Sequence, residues 1–132
     1  MKYEVAIPSY KRATTVREKT LKILEKHEID PKLVTIFVAD EEQRKEYETS
    51  LSASPYRNLV VGEPGMGAIR RFIQTYYPEG TRVMNLDDDL CEVLRKESDK
   101  KMVPLENLER DVILRGFQAC EDNGANLFGI YA

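Results

Sequence analysis

Apolar runs with little polar alternation recur along this chain, separated by amphipathic or charged stretches and punctuated by Pro, Gly and Asp. Lys2–Ile7 predicts a short strand that stops at Pro8. Val16, Thr20, Ile23, Leu24 and His27 then recur at helical spacing. Thr15-Val16-Arg17-Glu18 fits a capping box, so a helix is expected over Thr15–Lys26, broken at Asp30-Pro31. Val34–Val38 is β-branched and apolar throughout, the pattern of a strand buried on both faces. It ends at Ala39-Asp40, and the charged segment Glu41–Thr49 predicts an exposed helix.

Arg57–Val61 predicts a third strand, closed by Gly62, and Ala68–Tyr77 a helix stopped by Pro78 and Gly80. Arg82–Leu86 predicts a fourth strand running directly into Asp87-Asp88-Asp89. Beyond it the pattern suggests a short strand at Cys91–Leu94 and a charged loop over Glu97–Lys101. A helix over Leu105–Glu121 and a strand over Leu127–Tyr131 complete it. Strands alternating with helices imply right-handed crossovers, hence an α/β fold: a three-layer, Rossmann-like, mainly parallel sheet with helices on both faces. Ligands of such sheets bind beyond the carboxyl ends of the strands. The ends here are Pro8–Arg12, Asp40–Glu42, the 62–67 loop and Asp87–Asp89, and the topology would bring them to one edge.

Composition narrows the class. The chain has 132 residues, 42% hydrophobic and 33% charged, which suits one ordinary globular domain. No apolar run approaches the roughly 18–20 residues of a membrane span, and Met1–Ile7 has no signal-peptide character. Cys91 and Cys120 are too few for a disulfide scaffold, so free thiols in a cytoplasmic setting are expected. With 20 Lys and Arg against 23 Asp and Glu, the formal charge of −3 argues against a dedicated nucleic-acid clamp.

The candidate chemistry sits at the strand ends. Three successive carboxylates repel one another unless cations compensate them. After a buried strand, Asp87 and Asp89 would alternate to one side and Asp88 to the other. Two hard carboxylates on one side suit Mn²⁺ or Mg²⁺ holding substrate phosphates; a polar turn with a helix cap is the plainer alternative. The loop Gly62-Glu63-Pro64-Gly65-Met66-Gly67 precedes a helix and admits either a phosphate approach or a surface turn. It matches neither the dinucleotide fingerprint nor the P-loop. Arg70 and Arg71 lie in the first turn of that helix, where the macrodipole disfavours cations unless an anion or the aspartates stand nearby. Ser9-Tyr10-Lys11-Arg12 offers a hydroxyl, an aromatic face and two cations for a nucleotide, or a loop capping the next helix. Asp40 could accept from a ribose or base, or cap a helix. His27, Cys91, Cys120, Tyr76 and Tyr77 read as packing residues.

The ordered set of strand–PSYKR, strand–AD, glycine loop–helix with Arg70 and strand–DDD resembles a GT-A glycosyltransferase, with Asp87-Asp88-Asp89 at the place of the DxD motif. Val5–Arg12, Ile36–Glu42 and Gly67–Ile73 look most similar to the phage and fungal glycosyltransferases associated with TET/JBP-type DNA base dioxygenases. The resemblance implies a UDP-sugar donor, with UDP-glucose the first candidate, and a divalent metal bridging its diphosphate to Asp87 and Asp89. It further implies that Pro8, Ser9, Tyr10 and Arg12 hold the uridine, with Asp40 or Glu42 near the base. Gly67, Arg70 and Asp88 complete the nucleotide-sugar site, Arg70 as an electrostatic stabiliser. Arg71 stands where relatives often have Asn. The implied acceptor is a hydroxymethylated pyrimidine in phage-type DNA, which would call for a basic surface.

Such enzymes normally continue into an acceptor-binding half that supplies a catalytic base, so a complementary C-terminal half or self-association is expected. The competing reading is a non-catalytic nucleotide-sugar-binding or assembly module derived from that fold. A nucleotidyltransferase would place glycines after the first strand, and Pro8–Arg12 has none.

Overall fold

The computed structural model describes residues 1–130. They fall into two compact units, Lys2–Cys91 and a second that runs from Glu92 onward and takes in Met1. No described helix is long and apolar enough to cross a membrane.

The first unit is α/β. Strands β1 (Glu4–Pro8), β2 (Val34–Val38), β3 (Leu59–Val61) and β4 (Val83–Asn85) form one sheet in the order β3-β2-β1-β4, every pair parallel. Helices α1 (Ala13–Glu18) and α2 (Thr20–Lys26) connect β1 to β2, α3 (Glu41–Ser50) connects β2 to β3, and α4 (Met66–Tyr76) leads from β3 to β4. The chain thus steps outward from β1 to β3 and then returns to the other side of β1. A reversal of this kind opens a crevice beyond the carboxyl ends of the two strands that flank it, here β1 and β4.

The unbroken apolar runs of β1 and β2 follow from their central places in the sheet. Val5, Ala6, Ile7, Ile36, Phe37 and Val38 are all fully buried. Ala6 and Phe37 face α4, packing against Ile69 and Ile73 with Val60, Phe72, Tyr77 and Val83 at the margin. Phe37 is the centre of this layer, meeting Phe72, Tyr76 and Tyr77 edge-on with ring centroids 6.2, 5.2 and 6.1 Å away. By alternation Val5, Ile7, Ile36 and Val38 face the opposite layer, where α3 lies along β2 and β3 and α1 lies against α3. Val16, Leu21, Leu24, Tyr47 and Leu51 are buried there.

Two expectations need correction in this unit. The single helix expected over Thr15–Lys26 is two helices, interrupted at Lys19 (φ −113°, ψ −88°). Thr15 lies inside α1 and caps nothing, so the capping box is not formed. The reason is long-range: Thr20, first residue of α2, is turned fully inward to partners in the loop after β4. The expectation of an exposed α3 holds for its charged face only, because Gln43 and Tyr47 are buried. Arg44 on the outer face is ion-paired with both Glu41 and Glu48.

The second unit departs further from expectation. In place of a charged loop over Glu97–Lys101 there is an antiparallel hairpin of β5 (Leu94–Ser98) and β6 (Lys101–Pro104), with Arg95 opposite Val103. Its charges are paired locally, Lys96 with Asp99 at 3.0 Å and Lys101 with Glu97 at 3.2 Å, so charge there does not signal a loop. Cys91–Glu92–Val93 is not a strand; pairing starts at Leu94. The expected helix over Leu105–Glu121 begins as wide π-helical turns over Glu109–Leu114 and continues as α5 (Arg115–Asn123), ending at left-handed Gly124 (φ 63°).

Residues 127–130 form no strand, and Tyr131, the end of the strand expected there, lies outside the described residues. Instead Phe128 lies over α5 at Gly116, where a Cβ would come within 2.3 Å of its ring, and meets Phe117 edge-on at 5.2 Å. Neither cysteine belongs to a core: Cys91 is exposed and Cys120 half-buried.

The α/β unit carries a pH signature. The Tyr56 hydroxyl donates to the Ile29 carbonyl at 2.7 Å, and burial, reinforced by Glu25 and Asp30, pushes the phenol up to about 12. Unfolded tyrosine ionises near pH 10, so the folded state holds this proton where the unfolded state has lost it. The contribution is therefore complete below about pH 10 and is lost as pH rises towards 12. Denaturant titrations should show the parent chain losing roughly 2 kcal/mol more than Tyr56→Phe across that window. Parallel pH profiles for the two proteins would refute it.

Candidate functional site

The two loops beyond the carboxyl ends of β1 and β4 leave the sheet through its own hydrogen-bond ladder. The Ser9 amide donates to the Phe37 carbonyl at 3.0 Å, and the Leu86 amide donates to the Ala6 carbonyl at 3.0 Å. Pro8 ends β1, since its ring nitrogen has no hydrogen to donate. The loop after β1, Ser9–Arg12, and the loop after β4, Asp87–Leu90, therefore start side by side.

Within Asp87-Asp88-Asp89 the exposure alternates, but not on a strand as expected: β4 ends at Asn85, and Asp88-Asp89 lie in a turn. Asp88 points inward and is only 3% exposed, while Asp87 and Asp89 remain exposed. Both oxygens of Asp88 are satisfied from the β1 loop: Ser9 Oγ donates to Oδ2 at 2.7 Å, and Arg12 Nη1 donates to Oδ1 at 2.9 Å. A buried carboxylate without such partners would cost several kcal/mol. Arg12 also reaches Asp89, Nη2 to Oδ2 at 3.5 Å, and Arg70 reaches Asp87, Nη2 to Oδ1 at 3.3 Å. The cations that offset three adjacent carboxylates are thus arginines from the β1 loop and from α4. Because α4 begins at Met66 and not at Ala68, Arg70 lies in its second turn, outside the first turn where the macrodipole acts, and Asp87 is its anionic partner.

Two residues that were not singled out as site residues hold these loops. Thr20 Oγ1 donates to the Asp87 carbonyl at 2.6 Å and accepts from the Leu90 amide at 3.0 Å, stapling the two ends of the acidic turn. Tyr47 Oη lies 2.6 Å from Ser9 Oγ and accepts from the Arg12 amide at 3.0 Å. Burial raises the Tyr47 phenol above its ordinary value, opposed by its hydrogen bonds with Ser9 and with the Arg12 amide, so it stays protonated and available as a donor. One turn earlier on the same helix, Gln43 Oε1 accepts from the Lys11 amide at 2.7 Å, and Lys11 is held at φ 52°. Thr20 stood in the apolar stripe of its helix and Tyr47 four residues after Gln43. A lone hydroxyl in each inward stripe was the available signal.

The other candidates are placed as follows. Tyr10 is 48% exposed, with Lys11 Nζ 5.3 Å from its ring centroid. Asp40 caps α3, its Oδ1 accepting from the Gln43 amide at 2.8 Å, and Glu42 is exposed on the first turn of that helix. Gly67 is exposed at the start of α4, where an added Cβ would meet Arg71 Nη1 at 3.5 Å. Among the described residues no three His, Cys, Asp or Glu side chains converge as a metal cage. Asp87 and Asp89 offer two accessible hard-oxygen ligands, a donor set that suits Mn²⁺ or Mg²⁺ when substrate phosphates and water complete the shell.

Comparison with known proteins adds no assignment. No family model, no curated protein and no solved structure matches the chain. The functional reading therefore rests on the crevice itself.

Thr20 provides its most direct structural test. Thr20→Val keeps the shape but leaves the Asp87 carbonyl and the Leu90 amide without their partner. The expected cost is about 1–3 kcal/mol in urea denaturation, with faster hydrogen exchange at the Leu90 amide. Unchanged exchange at Leu90 would show that the staple does not hold the turn.

Proposed function

We propose that this chain carries the donor site of a metal-dependent glycosyltransferase of GT-A type, which takes a sugar from a UDP-sugar such as UDP-glucose. One observation carries the reading. The loops after β1 and β4 meet at the sheet's reversal point so that Asp88 is locked inward and Asp87 and Asp89 are presented outward, with Arg12 and Arg70 beside them. The proposed acceptor, following the same resemblance, is a hydroxylated group such as a hydroxymethylated pyrimidine in phage-type DNA.

Each residue then has a role in its own chemistry. The exposed Tyr10 ring offers a face to the uracil, and Arg12 borders it. Pro8 and Ser9, expected to hold the uridine, are buried and support the loop from beneath. Asp40 and Glu42 stand at the neighbouring strand end, Asp40 with one oxygen committed to capping α3. Arg12 and Arg70 bring fixed positive charge to the place where the diphosphate departs, an electrostatic contribution that is worth most where water is excluded. Mn²⁺ or Mg²⁺ held by Asp87 and Asp89 would supply further charge stabilisation of the leaving diphosphate.

A nucleotide-sugar-binding module without transfer is the second reading. Donor hydrolysis or sugar transfer that depends on Asp89 would exclude it.

Calorimetric titration of the purified chain with UDP-glucose tests the site. Binding is expected with Mn²⁺ and lost with EDTA, and Asp87→Ala and Asp89→Ala should each weaken it by at least about tenfold. A folded chain that binds no UDP-glucose with Mn²⁺ present would sink the donor-site reading.

A further inference from the structure

We propose that Tyr47 is the positioning residue of this crevice: its hydroxyl sets where Arg12 and Asp88 stand, although α3 itself contributes no group to the outward face of the acidic loop. The consequence for ligand affinity rests on the donor-site reading above; the positioning itself is a property of the free chain.

The hydrogen-bond directions are forced. The Arg12 amide can only donate, so Tyr47 Oη accepts there at 3.0 Å. The Asp88 carboxylate accepts, so Ser9 Oγ spends its single proton on Oδ2 at 2.7 Å. Between the hydroxyls, 2.6 Å apart, Tyr47 must then be the donor. Each hydroxyl gives one bond and receives one, and the sequence runs in one sense from the Arg12 backbone through Tyr47 and Ser9 to Asp88. It closes on itself, because the Arg12 guanidinium returns to the other oxygen of Asp88 at 2.9 Å. The ring therefore ties the backbone and the side chain of one arginine to opposite ends of a single relay.

Burial makes the relay rigid. Ser9 and Tyr47 are fully buried, and Asp88 nearly so, leaving no water to substitute for a lost partner. Gln43 adds a second hold on the same loop through the Lys11 amide, at a residue with positive φ. Two successive loop amides are thus fixed by neighbouring turns of one helix. The Tyr47 ring fills the layer beneath, whereas its hydroxyl only orients the relay, so removing the hydroxyl separates position from packing.

The test follows the Arg12 side-chain Nε–Hε resonance in the ligand-free full chain, together with calorimetric affinity for UDP in the presence of Mn²⁺. In the parent the resonance should be distinct and ordered. In Tyr47→Phe the backbone resonances of β1–β4 should stay in place while the Arg12 signal moves to the averaged position of solvent-exposed arginines. UDP affinity should fall about tenfold. Ser9→Ala should do the same, and the double variant should be no worse than the worse single, as members of one network require.

An Arg12 signal unmoved in Tyr47→Phe overturns the proposal, and so does unchanged affinity in a chain that binds UDP. Should Tyr47→Phe not fold, Ser9→Ala carries the test, and an unmoved Arg12 signal there overturns the relay. If the parent binds no UDP but the Arg12 signal moves in Tyr47→Phe, the positioning role stands and the donor-site reading falls.

Discussion

Asp88 takes a carboxylate out of water at the carboxyl edge of a parallel sheet, and its neighbours follow from that requirement. A buried carboxylate is tolerable only if a cation and further donors satisfy both oxygens. Arg12 supplies the cation and Ser9 the second donor. Having given its proton to Asp88, Ser9 needs a donor of its own, which fixes Tyr47 beneath it on α3. The demand thus travels from β4 to β1 and on to α3, joining elements far apart in sequence at one point.

The same demand explains where the backbone departs from its easiest path. Lys11 sits at positive φ, a conformation that a residue with a side chain adopts at a cost, and the amides on either side of its Cα, its own and that of Arg12, are claimed by Gln43 and Tyr47. The helix after β1 is interrupted at Lys19 so that Thr20 can turn inward and bridge Asp87 and Leu90. Each local irregularity is offset by a long-range hydrogen bond to the crevice. Irregularity collected at one place, with regular packing of Phe37 and its aromatic neighbours elsewhere, is the distribution expected of a site supported by its scaffold.

The legible part of the sequence was the part governed by local pattern. Val34–Val38 could be read as a doubly buried strand because a central parallel strand has no solvent face, and the four strands of the sheet were all recognisable. The alternating exposure of Asp87, Asp88 and Asp89 was legible too, although not for that reason: β4 ends at Asn85, and Asp88-Asp89 form a turn. Thr20 and Tyr47 were not, because their roles depend on partners 67 and 38 residues away that no local period encodes. The β5–β6 hairpin was hidden differently. Its charged residues pair with one another across a tight turn, so hydrophilicity there accompanies strand pairing where it had suggested a loop. Phe128 is spent on Gly116 of α5, so its apolar character could not indicate a strand.

Alternation gives the three aspartates unequal tasks. The inner one anchors an arginine, and by doing so it places a cation within reach of an outer one. Arg70 does the same for the other outer carboxylate from the opposite layer. The outer contacts, at 3.3 and 3.5 Å between half-exposed groups, are weak ones of the kind that exchange readily with solvent, while the inner contact of Arg12 with Asp88 is shorter, at 2.9 Å, and made to a buried carboxylate. On the proposed reading, a ligand would meet Asp87 and Asp89 with Arg70 and Arg12 beside them, and could draw either outer carboxylate away while Arg12 keeps its bond to Asp88. The fold has divided one acidic run into a fixed foundation and an adjustable surface, and the division lies between residue 88 and its two immediate neighbours.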